Sequence, residues 1–138
     1  MTCNYPDNCI RGIRKAEFVE NGIVTTLAFM PNCSTKDSRA DQGYETSINW
    51  EDHDQVVNFT LKQPSGIFGA LRLPRKSIES INEKPSLSGR CLKYERKIMK
   101  GNNHHGNIVF LGCLSPQILR TISGALAVEV MDIILPKE

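Results

Sequence analysis

The sequence predicts one α+β domain over residues 1–138. Its expected architecture is a mainly antiparallel sheet of about five to six strands, a C-terminal helix packed on one face, and one or two shorter helices. Three observations carry this. Short β-branched and aromatic runs fill the first two-thirds of the chain, turn-forming residues separate them, and a single strong helical stripe closes the sequence.

"CIRGI" (Cys9 to Ile13) reads as the first strand. "VENG" follows, and its Asn21-Gly22 pair favours a tight turn with positive φ. "IVTTLAFM" (Ile23 to Met30) is then the natural hairpin partner. Residues 31–43, "PNCSTKDSRADQG", form a polar connection long enough to suggest display of a binding surface. "YETSINW" (Tyr44 to Trp50) alternates, placing Tyr44, Thr46, Ile48 and Trp50 on one face.

"EDHDQVVNFTLK" opens with acids, as a first helical turn prefers, and Val56, Val57, Thr60 and Leu61 supply a modest stripe. "GIFGALRLP" (Gly66 to Pro74) reads as a strand, and "RKSIESINEK" as a short helix with Ile78 and Ile81 inward. "RCLKYERKIM" (Arg90 to Met99) and "NIVFLGCL" (Asn107 to Leu114) are strands flanking the turn "GNNHHG" as a hairpin. Ser115 is an N-cap candidate with Pro116 behind it at the first helical position. Ile118, Ile122, Leu126, Val130 and Ile133 recur at helical spacing, with Leu119 beside them.

Composition excludes several classes. Seventeen basic against fifteen acidic residues give a net charge of +2, too little excess for a dedicated nucleic-acid binder. The most apolar stretch is broken by Glu129 and Asp132 and is too short for a bilayer span. The N-terminus lacks the basic start and apolar core of a secretory signal. The five cysteines are odd in number and include no C-x-x-C pair, which argues against a disulfide framework or a zinc knuckle. A cytoplasmic protein is expected, without cofactor or metal. Cys9, Cys91 and Cys113, in or beside apolar runs, should behave as small hydrophobes.

No phosphate loop, dinucleotide fingerprint, nucleophile elbow or H-E-x-x-H motif occurs, so any site must be assembled from dispersed residues. His104 and His105 come first, since imidazole titrates near neutrality. In an extended segment they point to opposite faces, so they cannot chelate one metal. His105 is the better catalytic candidate, because Gly106 leaves room for a ligand to approach, and Asn102, Asn103 and Asn107 surround it with amides. Glu95 is near enough in sequence to serve as its partner.

Arg11, inside an apolar strand, either reaches the solvent face, which alternation favours, or clamps a carboxylate or phosphate over a pocket. Ser47, with Thr46, can hydrogen-bond a polar ligand. Asp52-His53-Asp54 has the look of a metal-binding string, but adjacent positions in a first helical turn do not face one site. Lys93, Glu95 and Lys97 share one strand face and Tyr94 and Arg96 the other. With Arg11 and Arg14 these form the weak case for stacking on RNA.

Arg11 on an early strand, "ETS" at residues 45–47 and Glu95 on a later strand resemble the Arg, Ser/Thr-Ser, Glu order of ADP-ribosyltransferases. The resemblance covers isolated residues, and the glutamate's setting "KYER" departs from that family's pattern. It implies a nucleotide ligand held by Arg11 and oriented by Ser47 or Glu95. The expected function is a ligand- or partner-binding module, with a protein as the foremost partner. The alternative is an enzyme acting on a phosphate-bearing ligand through Arg11 and His105, with Ser47, Glu95, Asn102 and Asn107 around it.

Overall fold

Alternating apolar runs pair into a six-stranded, wholly antiparallel sheet that places nearly all the candidate side chains on one face or the other. The computed structural model describes residues 5–31, 44–83, 92–111 and 116–136. In chain order the elements are β1 (Asn8–Gly12), β2 (Val19–Glu20), β3 (Ile23–Val24), β4 (Tyr44–Trp50), α1 (Val56–Leu61), β5 (Ala70–Pro74), α2 (Arg75–Ile81), β6 (Leu92–Arg96), β7 (His105–Phe110), α3 (Pro116–Val128) and β8 (Asp132–Ile134). The main sheet runs β6-β7-β4-β1-β5-β8, and β2 and β3 form a separate two-stranded hairpin. This is the predicted single-domain α+β fold, with a C-terminal helix and two shorter ones.

Registers such as Cys9 with Trp50 and Leu73, and Tyr94 with Ile108, set one face of the sheet. Cys9, Ile48, Trp50, Leu71, Leu73, Ile108 and Phe110 make it up, packing with α2 (Ile78, Ile81), α3 (Leu119, Ile122, Leu126) and Phe18, Ala28 and Phe29 in one core. Burying side chains of this size is worth roughly 1.5–3 kcal/mol each against leaving them in water. The opposite face carries Ile10 and Ala70 under Val56 and Leu61, the inner residues of α1. Because β1 lies inside the sheet, helices or turns cover it on both sides.

Trp50 is the centre of the larger core. Its indole N–H donates to the Glu95 carbonyl (3.0 Å), and its ring meets Tyr5 and Tyr94 at centroid distances of 4.9 and 5.4 Å. The space it occupies exists because residue 106 is glycine. A Cβ there would run into the indole and the Glu95 carbonyl.

Several expectations are corrected. Residues 23–30 do not pair with β1. The Asn21-Gly22 turn forms with both residues at positive φ (53° and 76°), but it joins the short β2 and β3. Thr26–Ala28 then tightens into a 3-10 turn that buries Ala28 in the core, so packing overrides the β propensity of the run. Helix α1 starts at Val56, so the acids 51–54 lie in the connection before it rather than in its first turn. Helix α3 ends at Val128, and β8 pairs with β5, Ile133 opposite Leu71. Val130 and Ile133 therefore leave the expected helical stripe, and Ile118 is exposed while Leu119 and Ile122 are buried. His105 is the first residue of β7 rather than part of the turn. Cys9 is buried and free, and burial pushes its thiol up to about 12, as an inert hydrophobe requires. Residues 32–43, Cys3, Cys91, Cys113 and the Ser115 cap lie outside the described residues.

Gly106→Ala is expected to cost about 3 kcal/mol through overpacking against Trp50, read as a lower urea midpoint with an unchanged slope.

Candidate functional site

The hairpin from β6 to β7 turns through residues 97–104, with Gly101 at φ 80° and a bridge from Met99 to Asn102. It brings His105 opposite Asn49 of β4. His105 Nδ1 lies 2.9 Å from the Lys97 carbonyl. A carbonyl only accepts, so Nδ1 carries the proton and Nε2 of the neutral ring is left as an acceptor.

His105 lines a small cleft with Ser47, Asn49, Gln63, Ser65 and Asn102. Its volume is about 60 Å³. That admits a few waters and falls far short of the several hundred Å³ of a nucleotide-sized pocket. Most of its amides are already engaged. Asn49 donates to the Thr60 hydroxyl (2.8 Å) and accepts from Asn102 (2.8 Å), while Asn102 accepts from the His104 backbone N–H (2.9 Å). These bonds hold α1 and the turn on the sheet. In the next row of the same face Asn107 donates to Glu95 (2.8 Å), and its buried Oδ1 has no hydrogen bond among the described residues.

Three predicted residues, Ser47, Asn102 and His105, thus share a cleft, and Glu95 and Asn107 form a pair on the same face. Arg11 borders the same cleft. Its guanidinium is turned to the other face, where Nε donates to Ala28 O (2.9 Å), Nη1 donates to Ser47 O (2.8 Å), and Cζ sits 5.5 Å from the Phe18 ring centroid. Alternation favoured a solvent-facing Arg11, but the side chain is buried because β1 is an inner strand. Arg11 and His105 thus border one cleft, while the Arg11 guanidinium is held by the Ala28 and Ser47 carbonyls. The room beside Gly106 goes to Trp50, not to a ligand. Tyr94 is likewise spent on Tyr5 and Trp50 and on a hydrogen bond to Glu79 (2.6 Å), so it is no open stacking ring.

The sequence reading missed a pairing across the chain. Asp52 receives two hydrogen bonds from Arg96 (2.6 and 3.1 Å), and its Oδ2 lies 2.7 Å from His104 Nδ1. His53 and Phe59 pack edge-on against that imidazole. Arg96, and after it His104, holds the Asp52 carboxyl below its ordinary value of 3.8. The available signal was "EDHD", discounted as a helix start. Among the described residues no group of three or more His, Cys, Asp or Glu is placed to hold a metal ion.

A second surface feature is apolar. The β2–β3 turn, the end of α3 and the start of β8 enclose a groove of about 440 Å³, lined by Ile23, Val24, Val128, Val130, Met131 and Ile133. Ile23 is 69% exposed, Val128 81% and Met131 54%. Asp132 borders it, tied to Arg72, which also grips Glu51 with two nitrogens (2.9 Å each). No helix among the described residues is long and apolar enough to cross a membrane. Comparison with protein-family models, curated proteins and solved structures finds no match.

The depressed Asp52 carboxyl contributes stability that is present above its unfolded value and lost as pH falls through the folded one. Asp52→Asn is expected to cost about 0.5 kcal/mol near neutrality, in keeping with a partly exposed network. The gap to wild type should close below 3.8 in thermal melts run across acid pH.

Proposed function

We propose that this chain is a partner-binding module that takes an extended apolar segment of another protein into the groove between the β2–β3 turn, the end of α3 and β8. One observation carries the reading: Ile23, Val128 and Met131, which line the groove, remain largely in water. A contiguous apolar surface of this kind marks an interaction site.

Two features select an extended protein segment as the occupant. Strand β8 ends the sheet order, so among the described residues its outer backbone groups have no paired strand and can take an added one beside the groove. Among the described residues the groove is lined by no lysine or arginine, which disfavours an anionic membrane surface. A module of this kind needs no catalytic motif, and the polar cleft at His105 supports none, since its amides hold the fold together. Residence in the cytoplasm, suggested by the cysteine pattern, belongs to the same reading.

Selection of a displayed library of random linear peptides on the purified protein tests it. Enrichment of apolar peptides is expected. Val128→Lys and Ile23→Lys should each weaken their binding by about tenfold or more, the worth of one buried aliphatic side chain. Val128 ends α3, so a cation there suits the helix dipole and folding is preserved. His105→Ala should bind as wild type. No enrichment, or peptides that ignore both lysine variants, overturns the proposal. So does a dimer in sedimentation that Val128→Lys dissolves, since the occupant would then be a second copy.

A further inference from the structure

Among the described residues, Arg11 is a buried cation with no anion. Its described partners are the Ala28 and Ser47 carbonyls and the face of Phe18. Its third nitrogen, Nη2, makes no hydrogen bond within the described residues. Arg14 is exposed, lies 5.9 Å from the same Phe18 centroid, and has no ion pair among the described residues. Glu17, beside Phe18 in sequence, is exposed and pairs with neither.

Two positive charges are thus gathered at one ring without a carboxylate from the described residues. Taking a guanidinium out of water is costly unless opposite charge or full hydrogen bonding offsets it. Carbonyl dipoles and a ring face offset part of that cost. Burial, and after it the neighbouring Arg14 charge, draws Arg11 down to about 10, which leaves it charged at neutral pH. Arg72 shows the opposite solution in the same sheet, with carboxylates on both of its terminal nitrogens.

We propose that Arg11 and Arg14, set about the Phe18 ring, form a receptor for a phosphate group. The buried Arg11, already oriented by two carbonyls, offers Nη2 as a fixed donor, and the exposed Arg14 closes on the anion from solvent. A phosphate dianion matches the two cations in charge, and guanidinium N–H groups match its oxygens in geometry. The site uses no residue of the apolar groove and stands or falls independently of it.

The test follows the Arg11 Nε–Hε signal by NMR during titration with inorganic phosphate at constant ionic strength, with adenosine monophosphate as a second arm. A saturable shift with Kd of about 1 mM or tighter is expected. Arg14→Ala, which trims an exposed side chain, should keep its melting temperature and weaken binding about tenfold or more. Arg11→Lys keeps the charge but loses the fork, and should weaken phosphate binding about tenfold or more, followed at the Phe18 backbone amide. Equal binding of both ligands assigns the receptor to phosphate alone; tighter adenosine monophosphate assigns it to a nucleotide. A shift that chloride reproduces, one that does not saturate, or one that Arg14→Ala retains overturns the proposal.

Discussion

The indole of Trp50 laid across Gly106 is the contact on which the rest of the structure depends. One ring spans three strands, packing from β4 over the bare backbone of β7 and donating its N–H to the Glu95 carbonyl of β6. A buried indole must find a partner for that N–H, and only one register of the hairpin places the Glu95 carbonyl beneath it. The same register brings the His104 carbonyl to the Trp50 backbone N–H at 2.7 Å. It also sets His104 against Asp52, and so pins the connection before α1. The histidine turn is shaped by an aromatic core on the far side of the sheet.

With that register set, the two arginines of neighbouring inner strands meet opposite fates. Arg72 of β5 faces the side of the sheet where Glu51 and Asp132 converge, and this triad fastens β8 to the sheet edge. Arg11 of β1, opposite Leu71, points the other way into a layer built of Phe18, Ala28 and Phe29. No carboxylate of the described residues reaches it there. Strand alternation alone separates a closed structural network from a cation with unspent capacity.

Much of the fold was legible because its signals are local. Alternation located β4, β5 and the β6–β7 hairpin, Asn21-Gly22 located a turn, and Leu119, Ile122 and Leu126 located α3. The failures share a physical cause. Val130 and Ile133 continue a helical spacing numerically, and period alone cannot say that the backbone has already turned into β8. Residues 23–30 have strand composition, but Ala28 and Phe29 are more deeply buried as part of a 3-10 turn against α3. Arg11 was assigned a solvent face because alternation assumes that one side of a strand is wet, which an inner strand covered on both sides is not. Of the candidate site, the clustering of Ser47, Asn102 and His105 was legible. The Asp52–His104 pair was not, since residues so far apart in sequence meet only through pairing register.

The polar turn that drew attention in the sequence is largely consumed internally: its amides and imidazoles hold α1, β4 and the hairpin together. The arginine pair and the apolar groove meet instead around residues 16–28. This segment contributes Phe18 to the arginine pair and Ile23 and Val24 to the apolar groove, and the Thr25 N–H to Phe18 carbonyl bond (2.9 Å) joins the two halves. Short strands and single 3-10 turns cannot bury their side chains as completely as a full helix would, so the segment covers the core while presenting an aromatic face to two cations and aliphatic side chains to water. The six-stranded sheet is the support that positions this thin layer.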